Sequence, residues 1–407
     1  MLFKAPSICL LAAAISTAAD PYFPPPDSQG GWRTLTSAAD IRGKAGLDLE
    51  RLDQAFQYAQ MTSQHGGLVV VRHGHLVYEK YFGKAHREAH PDMASIGKAY
   101  ASISVGIALS EKKAAIPEGL EQKVFNQTYL PEALPLSDPR KADIKLGHLL
   151  SMSSGMREGN SQTFVRGVVV PTEAPPRPPQ LDQDQAALKA PMWTEPGGGY
   201  TYSSQSTHVA TIVLRHLVGM EMQNYINEKL AKPMGYGVWG YALHRNGTTL
   251  PHTPGGGGIA VRATDAVRFA YLLLNKGKWG KQQLVPADYI AQCAKPSPYN
   301  PHSPYSLMFE VNQDGHVIGA PKDAFFKSGA GGSAIYVVPS LDMAIYKMSA
   351  SDAQLAPELT RLAVTYPEDS SRNSWKPGPH TQFHDGPIGG DDGVRRLLEM
   401  VVAAVVK

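Results

Sequence analysis

Strand-forming runs stand near both ends of this chain, and most of the stretch between them reads as helix. Leu68 to Arg72 and Leu76 to Phe82 are rich in β-branched and aromatic residues. They are joined across His73-Gly74-His75, where glycine supplies the positive φ of a tight hairpin turn. Ser306 to Val311, Ser333 to Val338 and Met343 to Met348 repeat the signal late in the chain, the last two joined by Pro339-Ser340-Leu341-Asp342. An isolated hairpin is marginal in water, so one antiparallel sheet is expected to collect both ends. Leu47, Leu49, Leu52, Phe56 and Ala59 recur at helical spacing, which predicts an amphipathic helix from Leu47 to about Met61. A final helix from about Asp392 to Val405 can pair with it over the sheet. Ala99 to Leu109, Ser206 to Val218, Met222 to Leu230 and Ala263 to Leu274 read as helices in between. The expectation is an α/β fold: a discontinuous sheet domain (20–94 and 255–407) around a mainly helical insertion (95–254). Two aperiodic stretches, Gly155 to Trp193 (rich in proline) and Tyr366 to Gly390, read as long surface loops.

With 407 residues and 43% hydrophobic positions, the chain has apolar material for a large core, which excludes disorder as its main state. The net charge of +3 offers no broad basic field, so nucleic acid is not expected as a partner. Met1 to Ala19 carries one charge at Lys4, an apolar stretch from Ile8 to Ile15 and the small residues Ser16 to Ala19. That is the pattern of a secretory signal over residues 1–19, too short for a spanning helix. A secreted or periplasmic protein without a stable membrane anchor is expected. Cys9 falls inside this leader, which leaves Cys293 alone and stability dependent on packing.

Three segments could carry chemistry. Ser95-Ile96-Gly97-Lys98 sets a hydroxyl and an amine one helical turn apart, directly before an apolar helix. A helix N-terminus and burial both disfavour an ammonium, so Lys98 can be neutral enough to accept the Ser95 proton. Ser110 to Lys113 has the same spacing but sits at a charged helix end and reads as a solvated face. Next, Pro196 to Ser204 brings a glycine-rich turn to Tyr202 at the start of a helix, and a phenol beside two lysines can serve as general base. Tyr225-Ile226-Asn227 is a rival Tyr-x-Asn set in amphipathic helix. Third, Phe325 to Ser333 runs from strand into Gly329-Ala330-Gly331-Gly332. The Ala330 amide could there meet a developing oxyanion together with the Ser95 amide, while Lys327 supplies positive charge. Taken alone, each segment also fits a structural role: Tyr202 as a buried tyrosine, the glycine run as a turn with a surface lysine.

In this order the three segments resemble the serine β-lactamase and penicillin-binding protein superfamily. The likeness is strongest to its branch of class C β-lactamases, D-alanyl-D-alanine carboxypeptidases and β-lactamase-like esterases. Lys327-Ser328-Gly329-Ala330 looks like that branch's Lys-Thr-Gly-Ala. Leu146 to Gly155 is similar to its His-Leu-Leu-x-x-x-Ser-Gly segment, and Gly256 to Phe269 to its glycine-start helix. The resemblance implies a β-lactamase/transpeptidase-like fold, no metal or organic cofactor, and a small-molecule ester, amide or β-lactam substrate. It implies Ser95 as acylated nucleophile, Lys98 and Tyr202 as proton-transfer pair and Lys327 as electrostatic partner. Ser95 and Ala330 would form the oxyanion hole, and Ser204, Ser328 and Gly329 would meet the substrate.

Two departures bear on specificity. The family's β-lactamases carry Tyr-x-Asn, whereas Ser204 stands third here, and its hydroxyl cannot both steady a lysine and reach a substrate amide. Neither a Ser-Asp-Asn triplet nor a Glu-x-x-Leu-Asn run occurs, so no dedicated deacylating glutamate is read. The leading expectation is an exported serine esterase. A β-lactamase or D-Ala-D-Ala carboxypeptidase is the alternative among enzymes, and a penicillin-binding-like module that does not turn over its ligand is the alternative of another class. His86-Arg87-Glu88-Ala89-His90 sets two histidines four apart, but its glutamate is misplaced for a zinc protease, and Gly255 to Gly258 precedes no Gly-Lys-Ser/Thr. No Gly-x-Ser-x-Gly occurs.

Overall fold

The computed structural model describes residues 22–159, 161–173, 182–241, 244–245, 248–355 and 391–406. The leader Met1 to Ala19 and the stretch Tyr366 to Gly390 lie outside them. Six strands form an antiparallel sheet: β1 (His65–Arg72), β2 (His75–Phe82), β3 (Glu310–Val311), β4 (Phe325–Ser328), β5 (Ala334–Val338) and β6 (Met343–Ala350). Their order is β3-β4-β5-β6-β1-β2. Early and late strands therefore meet inside the sheet, where β6 pairs with β1 from His65 opposite Ala350 to Arg72 opposite Met343. The β1–β2 turn takes positive φ at His73 (51°) and Gly74 (69°), the geometry that matches strand twist in a two-residue hairpin.

Alternation along the strands divides the core into two layers. Leu68, Val70, Met343 and Ile345 face α1 (Leu49–Met61), and Val69, Val71, Ala344 and Tyr346 face the larger core on the other side. That larger core is built on α2 (Gly97–Glu111), α3 (Ser204–Val218) and α4 (Ala263–Leu274); α4 packs on β5 and β6, and α2 on α3. The C-terminal helix α5 (Asp391–Ala403) lies beside α1 and buries Leu397, Leu398 and Val401. Each such leucine or valine, once removed from water, contributes about 1.5–3 kcal/mol. Cys293 is a buried free thiol that burial pushes up from its ordinary value.

Several elements differ from the sequence expectation. Only Glu310–Val311 of the Ser306 to Val311 run is strand: Met308 takes φ of 68° and the Ser306 amide donates back to the Phe309 carbonyl at 2.7 Å, which curls the chain before it can pair. The α-helix begun at Met222 ends at Ile226 and widens into a π turn over Asn227–Ala231. Gly155 to Trp193 is more than loop. It holds a small hairpin, Thr163–Val165 with Val168–Val169, and the helix Gln183–Leu188, capped by the Asp182 carboxylate. Positive φ at Arg166 (47°) and Gly167 (77°) makes that hairpin turn. No helix among the described residues is long and apolar enough to cross a membrane.

Lys347, at the middle of β6, is only 1% exposed. Its Nζ donates to the Gly332 carbonyl at 2.7 Å and to Ser349 Oγ at 3.0 Å, and burial brings its pKa down to about 7. An unfolded lysine titrates near 10.4, so between those values the folded chain holds fewer protons than the unfolded chain and stability rises with pH. Urea denaturation at pH 7 and pH 9 should show wild type gaining about 2 kcal/mol over Lys347→Met across that interval. An equal difference at both pH values would mean that Lys347 is charged in the fold.

Candidate active site

Ser95 lies in a 3₁₀ turn, Ala94–Ile96, that feeds directly into α2. Ala94 is held at φ 47°, with its amide donating to Asp92 Oδ1 at 2.7 Å and its carbonyl accepting from the Gly258 amide at 3.2 Å. A left-handed non-glycine residue costs free energy that the surrounding bonds must cover, and such positions concentrate at functional turns. Here the turn aims the Ser95 side chain into a cleft of about 640 Å³. α2 has no solvent face from Gly97 to Ala108, so Lys98, one turn on, is wholly buried.

Lys98 Nζ donates to Ser95 Oγ at 3.0 Å, to Ser204 Oγ at 3.2 Å and to the Gly256 carbonyl at 2.5 Å. Burial pulls the Lys98 amine below its ordinary value, and the Lys327 charge works in the same direction against the attraction of Tyr202. An amine whose charged form is disfavoured in this way and which touches a serine hydroxyl can exchange a proton with it. Tyr202 follows a short strand, Tyr200–Thr201, paired with Thr163–Val165, and precedes α3, whose first turn is capped by Ser203 Oγ. Its hydroxyl accepts from Lys327 Nζ at 3.1 Å, and the Lys98 and Lys327 ammonium nitrogens lie 4.8 and 4.9 Å from its ring centre. Burial pushes the phenol up, but Lys327 and Lys98 together outweigh it and bring the pKa down to about 8.

The third wall is the end of β4. Strand geometry delivers Lys327 to the cleft, and Gly329 then crosses the Ser95 turn so closely that a β-carbon there would lie 2.1 Å from the Met93 carbonyl and 3.2 Å from the Ser95 amide. Only glycine fits this crossing. The turn that follows is tied by Gly329 N to Ser333 O (2.8 Å) and Gly332 N to Gly329 O (2.9 Å). Gln354 Nε2 holds the Ala330 carbonyl at 3.0 Å, and Lys347 holds the Gly332 carbonyl from beneath. Ala330 thus sits in a pinned turn beside the serine.

Ser95, Tyr202, Lys327, Ser328, Gly329 and Ala330 line one cleft. Lys98 and Ser204 stand behind the lining, joined to each other. The rivals stand elsewhere: Ser110 is exposed at the end of α2, and the Tyr225 hydroxyl donates to Glu111 at 2.8 Å. Sequence reasoning missed Glu158, whose Oε2 accepts from the Ser204 amide at 2.8 Å and whose charge favours the protonated form of Lys98. It also missed the Gly256 carbonyl and Tyr305, which lies 5.5 Å below Lys327 Nζ. A contact between chain-distant segments leaves no local pattern, although Gly256 stood in a motif already singled out.

The Beta-lactamase family model matches residues 52–365, well over half of the chain. The chain belongs to the β-lactamase family. Within that family's wider superfamily of serine β-lactamase-related hydrolases, the chain is 27% identical to Esterase EstB of Burkholderia gladioli over 201 residues, 46% of this chain and 49% of that protein. It thus spans about half the length of the curated relative it matches. A β-lactamase candidate from Bacteroides dorei superposes with a TM-score of 0.59 at 18% identity, over 75% of this chain and 92% of that one. EstCE1, a hydrolase with promiscuous acyltransferase activity, gives 0.57 at 18% identity over 76% and 95%. These likenesses establish the β-lactamase/transpeptidase-like fold, with its antiparallel sheet and flanking helices.

Proposed function

We propose that this β-lactamase-family protein is an exported serine hydrolase that cleaves esters through an acyl-enzyme on Ser95. The observation that carries this reading is the contact of Lys98 Nζ with Ser95 Oγ at 3.0 Å beside a tyrosine whose pKa two lysines bring to about 8. Lys98 and Tyr202 together take the Ser95 proton as Oγ bonds to the ester carbonyl carbon. The carbonyl π pair moves onto oxygen, where the Ser95 and Ala330 amides receive it. When the tetrahedral centre collapses, the C–O bond to the alcohol breaks and the departing alkoxide takes the proton back. Water then gives a proton to the same pair, attacks the acyl carbon and releases the carboxylic acid, restoring the Ser95 hydroxyl. Lys327, bonded to Tyr202, favours the phenolate and so raises the fraction of active base.

Ester preference is supported by Ser204, whose hydroxyl is taken up by Lys98 in the place where the β-lactamases carry a carboxamide. The esterase relative points the same way, and export rests on the apolar leader. The test is a fluorophosphonate probe mapped by peptide mass spectrometry, run beside turnover of p-nitrophenyl acetate and nitrocefin. Labelling of Ser95 with rapid ester and negligible nitrocefin turnover is expected. Labelling of another serine removes the assignment. Efficient nitrocefin turnover replaces the esterase by a β-lactamase, and a stable acyl adduct without turnover by the binding module.

A further inference from the structure

Four aromatic rings stand in series along the cleft that opens over Ser95. Tyr202 stands at its base. From there the ring centres step to Tyr305 at 6.4 Å, on to Tyr200 at 5.7 Å, and out to Phe164 at 5.8 Å, and all four residues line the same cavity. The four rings come from three separate segments of chain, and their order in space is set by backbone pairing. Phe164 is opposite Tyr200 in the two-stranded pairing of Thr163–Val165 with Tyr200–Thr201. That hairpin is fastened at its far end as well. The Gly167 amide donates to the His302 carbonyl at 2.8 Å and the Arg166 amide to His302 Nδ1 at 3.0 Å, while His302 Nε2 lies 2.9 Å from the Gly197 carbonyl. The wall is therefore preformed, and a substrate ring laid along it has little ordering left to do.

We propose that this wall is a subsite for an aromatic ring, and that the favoured substrates are esters bearing one a few bonds from the scissile carbonyl; the proposal rests on the serine-hydrolase reading of the site. Successive centroid separations of 5.7–6.4 Å lie within the range that aromatic pairs favour, so an incoming ring extends the existing series of edge-on and tilted contacts. An acetyl group is too short to leave the neighbourhood of Tyr202. A phenylacetyl or benzyl group extends beyond Tyr202 onto the next rings of the series, which Phe164 closes at its outer end through its contact with Tyr200. The wall thus adds binding energy only for a substituent of this length and flatness.

The experiment compares kcat/KM for ethyl acetate, ethyl hexanoate, ethyl phenylacetate and benzyl acetate by pH-indicator assay, so that no aromatic reporter group competes for the wall. Ethyl phenylacetate tests the ring on the acyl side and benzyl acetate the ring on the alcohol side. At least one should exceed both ethyl acetate and ethyl hexanoate by about tenfold, the scale on which an apolar pocket discriminates. Phe164→Ala should bring that ratio toward one. Val168→Ser, on the exposed outer strand of the same hairpin, should leave it intact. Equal rates for all four esters, or hexanoate matching the aromatic esters, overturn the subsite. So does a Phe164→Ala variant that keeps the wild-type ratio. If no ester at all is turned over, it is the hydrolase reading that fails. The subsite is then judged by ligand-observed NMR of ethyl phenylacetate and benzyl acetate on Ser95→Ala, where adding Phe164→Ala should weaken binding of at least one about tenfold, and unchanged binding of both refutes it.

Discussion

Ser95→Ala is expected to lower kcat for p-nitrophenyl acetate by on the order of 10⁴–10⁶, to the rate that the oxyanion donors and binding alone sustain. The substitution removes the hydroxyl that lines the cleft and accepts from Lys98 Nζ at 3.0 Å, and in the proposed mechanism no acyl-enzyme forms without it. It should leave the fold intact. Lys98 keeps the Ser204 hydroxyl and the Gly256 carbonyl as acceptors, so the buried amine is not orphaned. A melting temperature within a few degrees of wild type, together with the lost rate, separates missing chemistry from unfolding. Retention of more than about 1% of the wild-type rate, far above what a non-covalent route supplies, would place the nucleophile elsewhere.

The parts of this site that could be read from sequence are those written in local spacing. Ser95 and Lys98 share a helical turn, and the apolar run behind them announces a helix with no solvent face. Lys327 ends a strand before a glycine run, and the 2.1 Å approach at Gly329 explains why that position carries no side chain. The sheet was legible for the same reason: runs rich in β-branched and aromatic residues at both ends needed one another as partners. What could not be read depends on tertiary contact. Glu158 meets the Ser204 amide at the start of α3 from a segment 46 residues earlier. The Thr163 to Val169 hairpin consists of strands too short to show a period, held by His302 from a distant segment. Met308 turns the backbone away from β3 through a positive φ that no residue preference would suggest. Long-range bonds of this kind set the shape of the cleft, whereas the short-range motifs set its chemistry.

Tyr202→Phe separates the proton-transfer role from the electrostatic one. Loss of the hydroxyl should reduce kcat/KM by about 10²–10⁴, the usual contribution of a positioned acid or base, with a smaller change in KM. The pH profile carries the sharper information. In the proposed mechanism the base acts as phenolate, so wild-type kcat/KM should rise as pH increases through about 8. In Tyr202→Phe that limb should vanish or move, because Lys98 then titrates without the phenolate that favours its charged form. Stability supplies an independent reading with the same origin. The folded phenol titrates near 8 and an unfolded one near 10, so over that interval the unfolded chain binds more protons and folding gains as pH rises. The difference in stability between wild type and Tyr202→Phe should therefore widen in favour of wild type between pH 8 and pH 10. A rate limb unchanged by the substitution, with a constant stability difference, would mean that Tyr202 stays protonated and that Lys98 alone serves Ser95.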